Sequence, residues 1–173
     1  NLSTLGKIQQ KIVAIDGEKI PIDGNLSISK QGVTHLLDGF LSDQQKVRIN
    51  TVDELLTYCY QVAGTVGVMM CDVMEISAQN ALKHAIDLGI GMQLTNIARD
   101  VAEDARMDRR YLPQTWVGEV EPCDITMPSP ALKQSLMSAT EQLLDLAEAY
   151  YQSGLDGLKY LPRSCRFAIF QAA

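Results

Sequence analysis

A chain of 173 residues, 46% of them hydrophobic, suffices for one ordinary domain with a substantial core. A formal net charge of -6 and a pI near 4.8 argue against broad electrostatic binding to nucleic acid. Scattered cysteines without a CxxC, few histidines and no long apolar run argue against a zinc site, a disulfide framework and a transmembrane helix, and fit a reducing, cytoplasmic setting.

In chain order the sequence reads as helices joined by short loops. Residues 2–10 are weakly helical at best, and the opening NLSTLGKIQQ matches neither a signal peptide nor an Arg-rich transit peptide. Residues 12–22, IVAIDGEKIPI, carry the hairpin signal, with Asp16-Gly17 as the turn and Pro21 restricting the second arm to a sheet edge. A loop is expected from Gly24, then a short helix over residues 29–42. Thr51 and Glu54 match a capping box that opens a helix running to about Met74. Ser77 is the expected cap of a long helix to about Asp104, bent near Gly89 and Gly91. Residues 107–128, with Pro113, Pro122 and Pro128, read as irregular. Ser129-Pro130 starts a helix expected to run to about Ser153 and to end at Gly154. Pro162 opens a last helical piece. No other segment sustains strand alternation, so the body of the chain is helical.

Residues 91–113, GMQLTNIARDVAEDARMDRRYLP, concentrate polar groups on an apolar-edged helix. A turn of about 100° per residue puts Asn96, Asp100 and Asp104 in one row, about 6 Å per step, with Gln93 on the same face. Oxygen donors without His or Cys suit Mg²⁺ and not zinc. Like charges four residues apart destabilise a helix by a few tenths of a kcal/mol per pair. A cation would offset this, as would Arg99, Arg106, Arg109 and Arg110, whose guanidinium forks also suit phosphate. A bare DxxxD is most often a solvated acidic face. Against that, Ile90, Met92, Leu94 and Ile97 imply that much of this helix is buried, and buried carboxylates need partners. Asp108 is expected past the helix end, paired with Arg109 or Arg110.

Residues 58–70, YCYQVAGTVGVMM, are a second unusual stretch. Gly64 and Gly67 each cost a helix about 1 kcal/mol against alanine. With Ala63 they permit close approach of another helix or of a ligand chain, and both readings stand. Val62, Val66, Met69 and Met70 form an apolar wall on which Tyr60 can place one hydroxyl.

Together these stretches resemble motifs of the phytoene/squalene synthase family, the head-to-head (1'-1) prenyl transferases. Residues 58–70 are similar to its mid-chain motif. QLTNIARDVAEDARMDRRYLP is similar to its second aspartate-rich motif, above all in the phytoene synthase version. LKYLPRSCRFAIFQAA, residues 158–173, resembles the segment that follows. The resemblance implies an all-α isoprenoid synthase helical bundle around a central cavity, with the hairpin as a local addition. Residues 1–173 would be a single domain, the middle and later part of a longer enzyme.

It further implies that Asn96, Asp100 and Asp104 hold Mg²⁺, with Mn²⁺ as a substitute, and that Gln93 sits beside them. Arg99 would contact diphosphate, and Tyr60 would sit at the reacting carbons. Val62, Ala63, Val66, Gly67 and Met70 would line the hydrocarbon tunnel, and Arg109 and Tyr111 its mouth. The implied reaction joins two geranylgeranyl diphosphates to phytoene through a cyclopropylcarbinyl diphosphate, in carotenoid biosynthesis and without a nicotinamide. A squalene or dehydrosqualene-type synthase using farnesyl diphosphate is the alternative, as is a catalytically silent assembly protein. Greasy substrates imply peripheral contact with membranes. The family's first aspartate-rich motif is missing from these residues: Glu141 and Asp145 are the nearest imitation, on a surface-like helix. A chain of this extent alone is therefore expected to be inactive.

Overall fold

The computed structural model describes residues 17–24, 26–76 and 78–172. Strands β1 (Lys19–Asp23) and β2 (Leu26–Ser29) pair antiparallel, with Lys19 opposite Ser29 and Ile20 opposite Ile28. The described hairpin thus turns at Gly24, in the left-handed region at φ 53°. Gly24-Asn25 is itself a favoured two-residue hairpin turn, which the DG signal upstream overshadowed. Asp16 and the expected first arm lie outside the described residues. Pro21 sits where a two-stranded sheet offers only edges.

Ser29 ends β2 and caps helix α1 (Lys30–Ser42), its hydroxyl accepting from Gly32 N at 3.0 Å. Asp72 ties the hairpin down, accepting from Ser29 N and Lys19 Nζ, each at 2.8 Å.

Thr51 caps α2 (Val52–Cys59) as expected, its hydroxyl accepting from Glu54 N at 3.2 Å. Glu54 reaches back to Asn50 N at 2.7 Å, one residue earlier than a standard box. The helix does not run unbroken to Met74. Tyr60–Gly64 form a π turn, closed by a hydrogen bond from Thr65 N to Tyr60 O, before α3 (Thr65–Val73) resumes.

The long helix α4 (Gln79–Arg106) is the spine of the molecule. Its expected cap, Ser77, lies outside the described residues; Ala78 precedes the helix and offers no side-chain cap. Ile86, Ile90, Leu94 and Ile97 bury one stripe of α4, at helical spacing. No break occurs at Gly89 or Gly91. A Cβ on Gly89 would lie 2.5 Å from the carbonyl oxygen of Ala63, and one on Gly91 3.3 Å from that of Ala147. These glycines allow close approach of neighbouring backbones.

Residues 107–128 are less irregular than expected. They hold α5 (Gln114–Val117) and α6 (Pro122–Thr126), the latter opened by a reciprocal Glu121–Asp124 capping box. Helix α7 (Pro130–Gly157) starts at Ser129 as expected and packs along α4 through Leu136, Ala139, Leu143, Ala147 and Tyr150. It runs past Gly154, because that glycine admits Leu88, whose Cβ would stand 2.9 Å from an added Cβ. A 3-10 turn (Leu158–Tyr160) and Pro162 end it, before α8 (Arg163–Ala172). As expected, the architecture is helical apart from the hairpin.

Candidate active site

The helix stripe opposite the core of α4 borders a cavity of about 350 Å³. All five residues expected to line the hydrocarbon tunnel border it, Val62, Ala63, Val66, Gly67 and Met70, whereas Met69, expected on the same wall, stands against Gly32 instead. The π turn sets the Ala63 carbonyl against Gly89 of α4, while the Val62 side chain also stands against Gly39 of α1. Gly67 serves both readings of the small-residue stretch: it lines the cavity, and an added Cβ would overlap the backbone of Ala85. From α4 the lining residues include Ala81, Ala85, Leu88, Met92, Gln93 and Asn96, an i, i+3, i+4 row. From Ala81 to Asn96 the row spans about 22 Å at the helical rise. Val66, Met70 and Met92 remain exposed, so the cavity is open on that side.

Gln93 and Asn96 put amides at one end of this apolar space, with Asn96 Nδ2 3.4 Å from Gln93 Oε1. The next turns carry Asp100 and then Asp104. Arg99, expected on diphosphate, forks onto Asp100 at 2.7 and 2.6 Å. That pair holds the Asp100 carboxyl below the usual carboxylate range. Asp104 differs. Among the described residues it makes no ion pair, and burial with the nearby charge of Asp100 pushes its carboxyl up to about 6, against partial relief from Arg109. No three His, Cys, Asp or Glu side chains form a closed metal cage among the described residues. Asn96, Asp100 and Asp104 instead offer an open oxygen-donor edge, which suits a hard cation that completes its shell with water and phosphate.

Arg109 and Tyr111 meet Asp104 around one shallow depression. There a residue that sequence reasoning missed organises the polar groups. Asp43 accepts from the Tyr111 hydroxyl at 2.7 Å and the Tyr58 hydroxyl at 3.0 Å, and its backbone oxygen faces Arg109 Nη2 at 3.4 Å. Burial raises both phenols, Tyr111 to about 12. Nothing in the local pattern marks Asp43, since its partners lie on elements distant in the chain. Tyr60 is buried, 3.1 Å from His35 Nδ1, and is not among the residues lining the cavity; burial pushes its phenol up to about 12. Asp108 lies past the helix end as expected, but its partner is Arg48 at 2.5 Å, not Arg109 or Arg110. Arg110 turns inward instead, donating to the carbonyls of Ile49 and Leu112.

Comparison with known proteins bears on the family and the fold. A family model described as squalene/phytoene synthase matches residues 22–173. The chain is 43% identical over 136 residues to the phytoene synthase of Pseudescherichia vulneris, covering 79% of this chain and 44% of that protein. It is 44% identical over 138 residues to the 15-cis-phytoene synthase of a Paracoccus species, covering 79% of this chain and 44% of the relative. Among solved structures, a ligand-bound dehydrosqualene synthase matches with TM-score 0.72 and 25% identity, covering 98% of this chain and 66% of that one. Squalene synthase HpnC from Alicyclobacillus acidocaldarius shares the fold at TM-score 0.72 and 17% identity, over 82% of this chain and 54% of that one. The chain thus spans about half the length of the curated relatives it matches.

Proposed function

The chain belongs to the squalene/phytoene synthase family, and we propose that the enzyme containing it joins two geranylgeranyl diphosphates head to head to give phytoene. The observation that carries this reading is the apolar row from Ala81 to Asn96, ending one turn short of an acidic edge whose Asp104 has no ion partner among the described residues. A diphosphate placed at that edge sends its hydrocarbon tail along the row. An extended isoprene unit, four C–C bonds of about 1.5 Å in zigzag, covers about 5 Å. The row of about 22 Å therefore matches four units, a C20 chain, better than three.

Mg²⁺, when bound, would neutralise the departing diphosphate. Asn96, Asp100 and Asp104 would hold it on this side. Asp104 supports this assignment: a half-buried carboxylate with a raised pKa and no ion partner gains from a cation. Arg99 would exchange its link to Asp100 for the diphosphate. The opposing acidic motif is assigned to the part of the enzyme outside this chain, which would also cover the open side of the cavity and exclude water from the allylic cation. No residue pattern here points to a nicotinamide. Among the described residues no helix is long and apolar enough to cross a membrane; the greasy substrates favour peripheral contact of the enzyme with lipid.

A C15-using synthase is the second reading, favoured by the fold shared with the dehydrosqualene synthase over 98% of this chain. Product analysis of the full-length enzyme with C15 and C20 diphosphates separates the two. A C40 hydrocarbon from C20 substrate is expected; a C30 product alone would reject the C20 reading.

A further inference from the structure

We infer that His84, held in place by Ser153 and Asp87, forms part of the far wall of the apolar cavity and sets the length of hydrocarbon the cavity accepts. The inference rests on the prenyl diphosphate reading above. His84 lines the cavity about two and a half turns of α4 from Gln93 and about three turns from Asn96, about 13 and about 18 Å at the helical rise. It is thus the polar side chain at the end opposite the diphosphate.

The imidazole is fixed from three sides. Its Nδ1 lies 3.1 Å from Ser153 Oγ, and the Ser153 hydroxyl donates to Asp87 Oδ2 at 2.5 Å. With the serine hydrogen committed to Asp87, its oxygen accepts from His84, which places the ring hydrogen on Nδ1. The ring stacks on Tyr160 at 5.9 Å and 19°. Its Cβ presses on Gly157, where any added Cβ would overlap it. A side chain so restrained cannot swing aside to admit a longer tail.

The chemistry of the cluster favours positioning over plain packing. Asp87 is 2% exposed, and burial raises its carboxyl above the usual range. A buried carboxylate is an expensive way to join two helices, since an apolar pair would do so without desolvating a charge. Its specific effect is to orient Ser153, and through it His84. Ser153 and Asp87 are therefore positioning residues, and His84 is the specificity-determining one.

The test uses the full-length enzyme with C15, C20 and C25 prenyl diphosphates in competition. His84→Ala should raise the C25:C20 ratio of kcat/KM about tenfold or more, the scale expected for a change of pocket volume. His84→Trp should raise the C15:C20 ratio similarly. Asp87→Asn and Ser153→Ala should shift the ratio as His84→Ala does, but less, while Ser153→Thr keeps the wild-type ratio. His84→Phe fills the same space and guards against loss of folding; it should keep the wild-type preference. Ratios within twofold of wild type in both His84→Ala and His84→Trp would overturn the inference and leave a structural tie. If the wild-type enzyme consumed neither C15 nor C20, the function reading would fail separately. The same ratios would then be read from dissociation constants of the C15, C20 and C25 prenyl alcohols, and would uphold or overturn the wall by the same criterion.

Discussion

Helix α4 withdraws a carboxylate from bulk water near each end, and the molecule treats the two oppositely. Asp87 is almost wholly buried, yet Ser153 donates to it and His84 stands behind the serine. Asp104 is half-buried and has no ion partner among the described residues. Burial raises both carboxyls. The first is answered inside the fold, across to α7. The second is left for something outside it. A completed polar cluster orders the structure; an incomplete one facing an opening is where a ligand gains most.

The sharpest break in this comparison comes from neutralising each acid. Asp104→Asn in the full-length enzyme should cut turnover at least about 10³-fold, about 4 kcal/mol of barrier, measured as consumption of C20 diphosphate. Its metal-free stability should hold or rise by about 1 kcal/mol, after discounting for solvent at a half-buried site. Unchanged turnover would remove Asp104 from the metal edge. Asp87→Ala should do the reverse. Urea unfolding should show a loss of about 1–3 kcal/mol, as Ser153 loses its acceptor and His84 the serine's fixed orientation, while turnover of C20 substrate stays within about tenfold. A variant that kept full stability would show that the cluster contributes nothing to the fold.

Of these two ends, the sequence displays one. Asn96, Asp100 and Asp104 share a helical face at four-residue spacing, so the row is legible from spacing alone. The cap signals at Thr51 and Ser129 are equally local, and both helices start there. The Asp87 cluster is not local: Ser153 is 66 residues from Asp87 and 69 from His84. Asp43 is likewise invisible, with Tyr111 68 residues away. The glycines mislead for a related reason. Gly154 resembles a helix stop, but it accommodates Leu88, as Gly89 accommodates the Ala63 backbone. One residue type serves both purposes, and only tertiary packing decides which. The π turn at Tyr60–Gly64 has no pattern of its own; it accompanies the close backbone approach between Ala63 and Gly89.

A pH series with and without Mg²⁺ sharpens the contrast with a smaller effect. The fold raises the Asp104 carboxyl from 3.8 to about 6. Between those values the folded protein therefore binds more protons than the unfolded chain, and stability falls as pH rises through that window. The penalty is absent below about pH 4 and complete above about pH 6. Mg²⁺ needs the ionised carboxylate, so its stabilising effect should grow over the same window. At saturating metal it should reach about 1–3 kcal/mol, measured as a rise in Tm. Asp104→Asn should flatten both trends. A Mg²⁺ effect equally large at pH 4 and pH 7 would place the ion elsewhere.

The smallest effect belongs to Asp108, four residues past Asp104, and it tests where the acidic edge stops. Asp108 lies past the end of α4 with φ 59°, a left-handed conformation that favours glycine. Its side chain is mostly exposed and pairs with Arg48, away from Asp104. Asp108→Gly relieves the backbone by about 1 kcal/mol and removes an exposed ion pair of about 0–1 kcal/mol. Arg48 Nη1 still donates to the carbonyl of residue 108 at 2.6 Å, a contact that any side chain there preserves. The two changes oppose each other, so stability should move by no more than about 0.5 kcal/mol and turnover by less than twofold. A fivefold loss of turnover with intact stability would extend the acidic edge to Asp108. The expected silence instead confines it to the half-buried part of the helix, where an unpartnered carboxylate has something to gain from a cation.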